Sequence, residues 1–298
     1  MPQGSTIEEK DNDSVSQEED SSHSDSELFN RSEFELGAEY FLPNYLRRVV
    51  FPYYGEFCQT HIFHHKLIIH LMAEGYLPMA NKSVLLPKLH VQRCVMWLPD
   101  QLHISKSTRK KSSKFTLTLN TAFRDVVNGC HEQHSNCWLE PPLVEAFEAI
   151  YSSTTAMKAA VDGKTCCPVR FYSTEVWQAS NLVAGELGYT VGSVYTSLTG
   201  FSKVDSAGSV QMAALGSILC AANFSMWDLG MDMTYKRQVG AQLLPRAEFL
   251  QHIHAVRGLD KSIPRIDYPV SCKDLIQKVQ CSQPLDSSSI NKPQVSRC

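Results

Sequence analysis

No stretch of this 298-residue chain approaches the roughly 18 uninterrupted apolar residues that a membrane helix needs, so no spanning segment is expected. The ten cysteines contain no C-x-x-C pair, and only Cys166 and Cys167 are neighbours. That spacing argues against a zinc ribbon and a thioredoxin-type redox site, and reduced thiols are the expectation. No internal repeat is visible. The N-terminus lacks the basic start and apolar stretch of a secretory signal, and its many acids fit a transit peptide poorly. A cytoplasmic chain is therefore expected.

What is present is a division of charge. Residues 1–37 hold eleven acids against Lys10 and Arg31, a net of −9; with −3 overall, +6 is left for the rest. A mildly basic body behind an acidic tail is compatible with an anionic partner, and an ordinary enzyme surface accounts for it equally. Residues 1–32 carry almost no large apolar side chains, so burial there cannot offset the entropy of ordering and disorder is predicted. The whole chain is 43% hydrophobic, enough for a substantial core between the tails.

Within that body, Phe57–Glu74 has roughly helical apolar spacing and ends at Gly75, a C-cap residue. Phe115–Leu119 alternates as a strand, and Ala122–Gly129 and Pro141–Met157 read as helices, the second with prolines in its first turn. Thr174–Trp177, Asn181–Tyr189 and Ser193–Phe201 read as successive strands, the last two joined by a two-residue turn at Val191-Gly192. That turn would pair Leu198 with Gly185 and Glu186 with Ser197, on opposite sheet faces. A helix over Ala207–Asn223, a buried strand over Phe224–Asp228 and a helix over Arg246–Val256 complete an α+β pattern. The Ser/Pro/Gln-rich tail from 271 to 298 reads as loose, apart from a short helix at Lys273–Val279.

From Gly75 to about residue 250 a series of fragments resembles, in order, the leucyl/phenylalanyl-tRNA–protein transferase family. Gly75-Tyr-Leu-Pro78 is similar to its Gly-x-x-Pro. Leu102-His-Ile-Ser105 follows, with the basic run Lys106-Ser-Thr-Arg-Lys-Lys111. Phe115 to Cys130 resembles its strand plus helix, and Cys-Trp138-Leu its Thr-Trp-Ile. Ser173-Thr-Glu-Val-Trp177, Leu182-Val-Ala-Gly185, Phe201-Ser-Lys, Met226-Trp-Asp228, Val239-Gly-Ala241 and Pro245-Arg-Ala-Glu-Phe249 complete the series. The resemblance implies an acetyltransferase-like (GNAT) domain over 113–270, a smaller α/β domain over 38–112, an acidic tail over 1–37 and a loose tail over 271–298.

It also implies a reaction, aminolysis of the aminoacyl ester of a charged tRNA by a protein α-amine. Leu, Phe or Met would be the donor residue, and N-termini beginning with Lys or Arg the acceptors. No cofactor and no metal are implied, and a monomer is expected. Asp228 occupies the place of the family's catalytic aspartate, but the glutamine two residues on is Gly230 and the glutamate of Gly-Glu-Ser-Met-Phe-Ser is Leu198. Glu186 and Asp232 are the acids close enough in sequence to compensate. Trp138 matches a tryptophan that stacks on the terminal adenosine, while the family's other tryptophan pair gives way to Lys88-Leu89-His90, leaving His90 as a stacking candidate. Lys106, Arg109, Lys110 and Lys111, within a run of five basic residues in nine, suit phosphate. Met226, Leu198 and Phe201 are candidates for the pocket of the transferred side chain.

The run Cys130-His131-x-x-His134-x-x-Cys137 has zinc-ligand types and spacing, but Cys130 matches an ordinary family position and Cys137 replaces a threonine, so no metal is assigned. His61, His64 and His65 lie among apolar residues and are read as satisfied or solvent-facing. Two rival functions stay open. One is a non-catalytic descendant that binds tRNA or N-termini; the other is a CoA-dependent N-acetyltransferase, whose phosphate loop Arg237-Gln-Val-Gly240-Ala-Gln242 matches incompletely.

Overall fold

The computed structural model describes residues 34–35, 55–134, 138–161 and 166–280. The chain runs through β1 (Phe34–Glu35), β2 (Cys58–Gln59), α1 (His65–Ala73), β3 (Ala80–Asn81), β4 (Val84–Leu85) and β5 (Gln92–Trp97). It continues with α2 (Lys106–Lys111), β6 (Thr116–Leu119), α3 (Phe123–Gln133), α4 (Pro141–Tyr151), β7 (Met157–Ala160) and β8 (Cys166–Gln178). Then come β9 (Asn181–Val191), β10 (Val194–Ser202), α5 (Ala207–Ala221), β11 (Met226–Gly230), α6 (Thr234–Gln238), β12 (Gln242–Pro245), α7 (Arg246–Val256), β13 (Val270–Ser271) and α8 (Cys272–Gln280).

Nine strands form one sheet in the order β12-β5-β11-β10-β9-β8-β6-β13, with β7 also on β8. All its pairings are antiparallel except β10 with β11. The α+β expectation thus holds at the level of a mixed protein built on a large, mostly antiparallel sheet. β5, from the segment expected to form the smaller N-terminal domain, lies inside this sheet between β12 and β11.

Alternation along the strands divides the core in two. Val194, Met226, Val95, Leu187 and Tyr189 pack with α1, α3, α4 and α7 on one face. Tyr195, Trp227, Met96 and Cys94 pack with α5 and α8 on the other. The first is called here the α3 face and the second the α5 face.

Several boundaries differ from the sequence expectation, each for a local reason. The helix expected from Phe57 begins only at His65, because Phe57–Thr60 is tied instead as extended chain to Leu85 and Lys88. His64 caps it by accepting from the Lys66 amide, and Gly75 ends it with φ +89. The helix expected at Pro141–Met157 stops at Tyr151, and Met157 opens β7 against Val169. The hairpin turn falls one residue later than read: Val191 pairs with Val194, so Gly192 and Ser193 are the loop residues, with Gly192 at φ +58. A bulge between Ser197 and Thr199 shifts the register again, so Glu186 pairs with Gly200 and Gly185 with Phe201. The helix expected near Lys273 is α8, which packs on α5 with Cys272 and Ile276 buried. The tail expected to be disordered, residues 1–32, and the last 18 residues lie outside the described residues.

Candidate active site

Asp228 is the third residue of β11, between buried Trp227 and Leu229, and its side chain turns to the α3 face. Arg93 comes from the neighbouring β5 and approaches it with a bidentate fork: Nε donates to Oδ1 at 2.8 Å and Nη2 to Oδ2 at 3.0 Å. Thr196 Oγ1, on β10, donates to Oδ2 at 3.0 Å, and the Gly230 amide donates to Oδ1 at 2.9 Å. Both ionic side chains are essentially without solvent contact. A buried ion pair survives desolvation only when extra donors fill the remaining lone pairs, and here two do, Thr196 and the Gly230 amide. Arg93 also donates to the Gly75 carbonyl at the end of α1, and its guanidinium lies over the Phe249 ring of α7 at 4.6 Å. The pair therefore joins three sheet strands to two helices.

Every atom of the Asp228 carboxylate is thus engaged in holding structure. One of its donors is the backbone of Gly230, whose φ of +72 bends the chain where β11 ends. A Cβ at Gly230 would meet only Leu77 Cδ1, at 3.5 Å, so the position is open in space although strained in backbone. Leu198 sits in the β10 bulge and packs half-buried on the α3 face. Met226 and Phe201 are buried on the same face, Phe201 resting where Gly129 and Gly185 carry no side chain. Trp138 packs half-buried against that core, and its carbonyl accepts from the Ala80 amide.

Glu186 is not part of this group. It turns to the α5 face, where its Oε1 accepts from Tyr195 Oη at 2.9 Å and Ser197 Oγ at 2.8 Å, and its Oε2 from Gln211 Nε2 at 2.9 Å. Burial pushes this carboxyl up to about 7 in spite of those donors. The separation of Glu186 from Leu198 across the sheet, expected from the hairpin, therefore arises from a different register. Asp232 pairs through both oxygens with Arg237, five residues on, and the Arg237 hydrogen bonds hold its carboxyl low.

His90 is nearly covered. Its Nδ1 lies 4.0 Å from Glu56, and burial followed by the nearby Arg93 cation depresses it to about 3, so it presents a neutral ring. The basic run forms α2, capped by Ser105, with Lys106, Lys110 and Lys111 exposed; Arg109 Nε bonds the Ile104 carbonyl. This helix packs on α5. The basic run and Trp138 therefore lie on opposite faces of the sheet, whereas the sequence reading drew them toward one ligand. A cavity of about 220 Å³ also lies on the α5 side, between α2, α5 and Trp227.

Of the residues in the zinc-spaced run, Cys137 lies outside the described residues; His131 and His134 bond the carbonyls of Leu139 and Gly200. His61 bonds the Ser83 carbonyl, and His64 stacks on His65.

Three contributors escaped the sequence reading. Arg93 was readable in principle, as a lone cation inside the apolar run of β5. Lys236 was not: only folding brings its Nζ to the carbonyls of Leu229 (2.7 Å) and Met231 (2.9 Å), clamping the turn after Asp228, with its pKa lowered by burial. Glu175, inside a recognised motif, accepts from Ser173 Oγ, Thr118 Oγ1 and the Thr121 and Ala122 amides. It thereby supplies the N-terminal cap that α3 lacks from its own residues.

These features define a mixed α/β protein whose large sheet carries a buried Arg–Asp centre where its one parallel strand pair ends. The segment from 96 to 254, more than half of the chain, matches the leucyl/phenylalanyl-tRNA protein transferase family, and the chain belongs to that family. Leucyl/phenylalanyl-tRNA–protein transferase of Pectobacterium carotovorum (strain PC1) is 28% identical over 158 residues, 52% of this chain and 61% of that protein. Those of Klebsiella pneumoniae (strain 342) and Tolumonas auensis are 24% and 28% identical over 184 and 186 residues; each alignment takes in 72% of the relative and 59% and 58% of this chain. The chain thus spans between three-fifths and three-quarters of the length of these relatives. Among the described residues no helix is long and apolar enough to cross a membrane.

Proposed function

We propose that this protein transfers Leu, Phe or Met from charged tRNA to the N-terminal amine of proteins beginning with Lys or Arg, which marks them for degradation. The observation that carries this reading is the retained aspartate: Asp228 is fully buried, tied by Arg93 and Thr196, and fixes the Gly230 amide at the end of β11 within the family segment. The parallel β10–β11 pair beside an antiparallel meander supports a GNAT-like domain over 113–270. The smaller unit over 38–112 lends it β5. A cytoplasmic monomer without cofactor completes the proposal.

The chemistry asks little of acid–base groups. The acceptor amine attacks an ester already activated, its nitrogen forms the new amide bond, the ester C–O bond breaks, and the proton shed by the amine returns to the departing ribose oxygen. Positioning two substrates supplies most of the rate that such an aminolysis needs. Asp228 acts through the backbone it orients, making it a positioning residue. Trp138 stacks on the terminal adenosine and the cations of α2 hold phosphates; His90, nearly covered, is the weaker of the two stacking candidates. Met226, Leu198 and Phe201 shape the floor under the transferred side chain. Glu186 and Asp232, engaged with their own partners, are the weakest of the assigned catalytic candidates.

A second reading rests on Leu198 and Gly230, which leave the centre without two polar side chains: a protein that binds charged tRNA or N-termini without turnover. The CoA-dependent reading has less support, since the Gly240 backbone is used for packing; a Cβ there would lie 2.0 Å from the Gln101 carbonyl. Incubation with tRNA bearing labelled Leu, Phe or Met and a Lys- or Arg-initiated acceptor tests the proposal. Label is expected in the acceptor; retention of charged tRNA with no label moved would select the binding protein.

A further inference from the structure

Aminolysis puts negative charge on the ester carbonyl oxygen as the amine adds, and the buried pair offers that oxygen no donor. The Asp228 carboxylate repels it, and the Thr196 hydroxyl and the Gly230 amide already donate to Asp228. Arg93 has Nε and Nη2 engaged with Asp228 and Gly75, and its Nη1, which has no partner, is sealed from solvent. A donor must come from outside the pair.

The turn after β11 holds one. β10 and β11 are paired only as far as Thr196 with Asp228, although β10 runs on to Ser202 and β11 to Gly230, so the strands part at the carboxylate. Gly230 gives its amide to Asp228, while the carbonyls on either side of it, Leu229 and Met231, accept from Lys236 Nζ at 2.7 and 2.9 Å. Carboxylate and ammonium thus grip the same short turn. An ammonium carries three N–H donors, and among the described residues no third acceptor meets this one; the Tyr235 ring lies 5.7 Å away. Lys236 is only half-buried, which leaves the third N–H within reach of a ligand. Burial holds its pKa below that of a free lysine, and Cys94 of β5, Asp228 of β11, Glu186 of β9 and Asp232 before α6 oppose that shift. His90 and Arg237 are the further charged or titratable neighbours.

We propose that Lys236 is the oxyanion donor of the transfer, its third N–H taking the carbonyl oxygen of the aminoacyl ester. The inference rests on the transferase reading. The amine nitrogen adds to the carbonyl carbon, and the ammonium holds the charge that appears on oxygen. The carbonyl re-forms as the ester C–O bond breaks, the amine proton goes to the departing ribose oxygen, and Lys236 keeps its own protons. Anchored by two carbonyls, the ammonium needs no reorganisation at the moment of reaction.

The test uses the full chain and two probes, adenosine and adenosine carrying phenylalanine through a 3′-amide, which keeps the carbonyl oxygen but does not react. Lys236→Met should bind the amide probe about tenfold more weakly than the wild type, the scale of one charged hydrogen bond, and adenosine equally well. A lysine that only braced the turn would change both affinities or neither. In single turnover from Phe-tRNA, Lys236→Met should be slower by about a hundredfold, as when an oxyanion donor is removed, with its affinity for charged tRNA kept. Lys236→Arg should retain most of the rate. The wild-type rate should rise with pH as the acceptor amine loses its proton and fall again as Lys236 does; in Lys236→Arg, charged throughout, the fall should vanish. Circular dichroism checks that both variants fold. Amide-probe affinity unchanged in folded Lys236→Met would overturn the proposal, and so would an equal loss for both probes. Transfer by the wild type at a rate that Lys236→Met matches removes the proposal alone; amide-probe binding that depends on Lys236, without any transfer, removes the transferase reading alone.

Discussion

Asp228 and Arg93 meet at direct hydrogen-bond distance, and among the described residues neither has a second salt-bridge partner to fall back on. Removing one leaves the other buried without compensation, a loss of about 3–5 kcal/mol in comparable pairs. Arg93→Met should therefore lower the stability read from urea unfolding by that amount, and Arg93→Met with Asp228→Leu should recover much of it. Asp228→Asn keeps the shape but leaves Arg93 without its counter-charge, so it should fall in the same range. Glu186 makes a prediction of a different kind. Its carboxyl is raised from the ordinary range to about 7, so between roughly pH 4.5 and 7 the folded protein binds a proton that the unfolded chain gives up. Its contribution is thus favourable at the acid end and is lost as pH rises through 7, on the order of 1–3 kcal/mol. Glu186→Gln should remove that part of the slope in unfolding curves collected from pH 5 to 8; an unchanged slope would place the burial penalty elsewhere.

At the scale of elements, the β9–β10 hairpin is the most constrained piece. Gly192 has φ +58, and a Cβ on it would lie 2.0 Å from the Val256 carbonyl at the end of α7. Gly192→Ala should cost more than the roughly 1 kcal/mol of left-handed backbone alone, about 2–4 kcal/mol by urea midpoint, because the hairpin tip must lift off α7. The same hairpin shows what the sequence can and cannot convey. Strands β9 and β10 were legible, and of β8 only its last third, Thr174–Trp177; α3 and α4 were legible from their patterns and α5 from its small, apolar composition. The turn was misplaced by one residue, since Val191-Gly192 and Gly192-Ser193 both offer a glycine, and the choice is made by contact with α7. The bulge at Leu198 was invisible, because it accommodates Gly200 against Glu186 across strands and leaves no local signature. Of the candidate site, the place of Asp228 in a buried strand was legible from the apolar residues around it. Its partner Arg93 lies 135 residues away, and Lys236 is placed by folding alone.

At the scale of the molecule, the sheet separates two surfaces. Asp228, Leu198, Met226, Phe201 and Trp138 belong to the α3 face, and α2 with its cations and the cavity belong to the α5 face. A tRNA that reaches both must pass around the end of the strands, so its binding should divide into an electrostatic part and a local part. Replacing Lys106, Lys110 and Lys111 by Ala should flatten the plot of log affinity for tRNA against log salt by about 2–3 units of slope. Trp138→Ala should weaken binding with the slope unchanged.

Transfer itself is the central claim, and single-turnover reaction of labelled Phe-tRNA with an Arg-initiated acceptor measures it most directly, wild type beside Asp228→Asn. Label should pass to the acceptor amine with the wild type. With Asp228→Asn the rate should fall at least about tenfold while the affinity for charged tRNA is kept, since the side chain loses its charge and the Oδ2 acceptor that Arg93 and Thr196 share, which loosens the end of β11, but the α2 cations remain. Equal rates in the two proteins would contradict the role given to Asp228. No transfer by the wild type from Phe-, Leu- or Met-tRNA, with the charged tRNA still held, would contradict the enzyme.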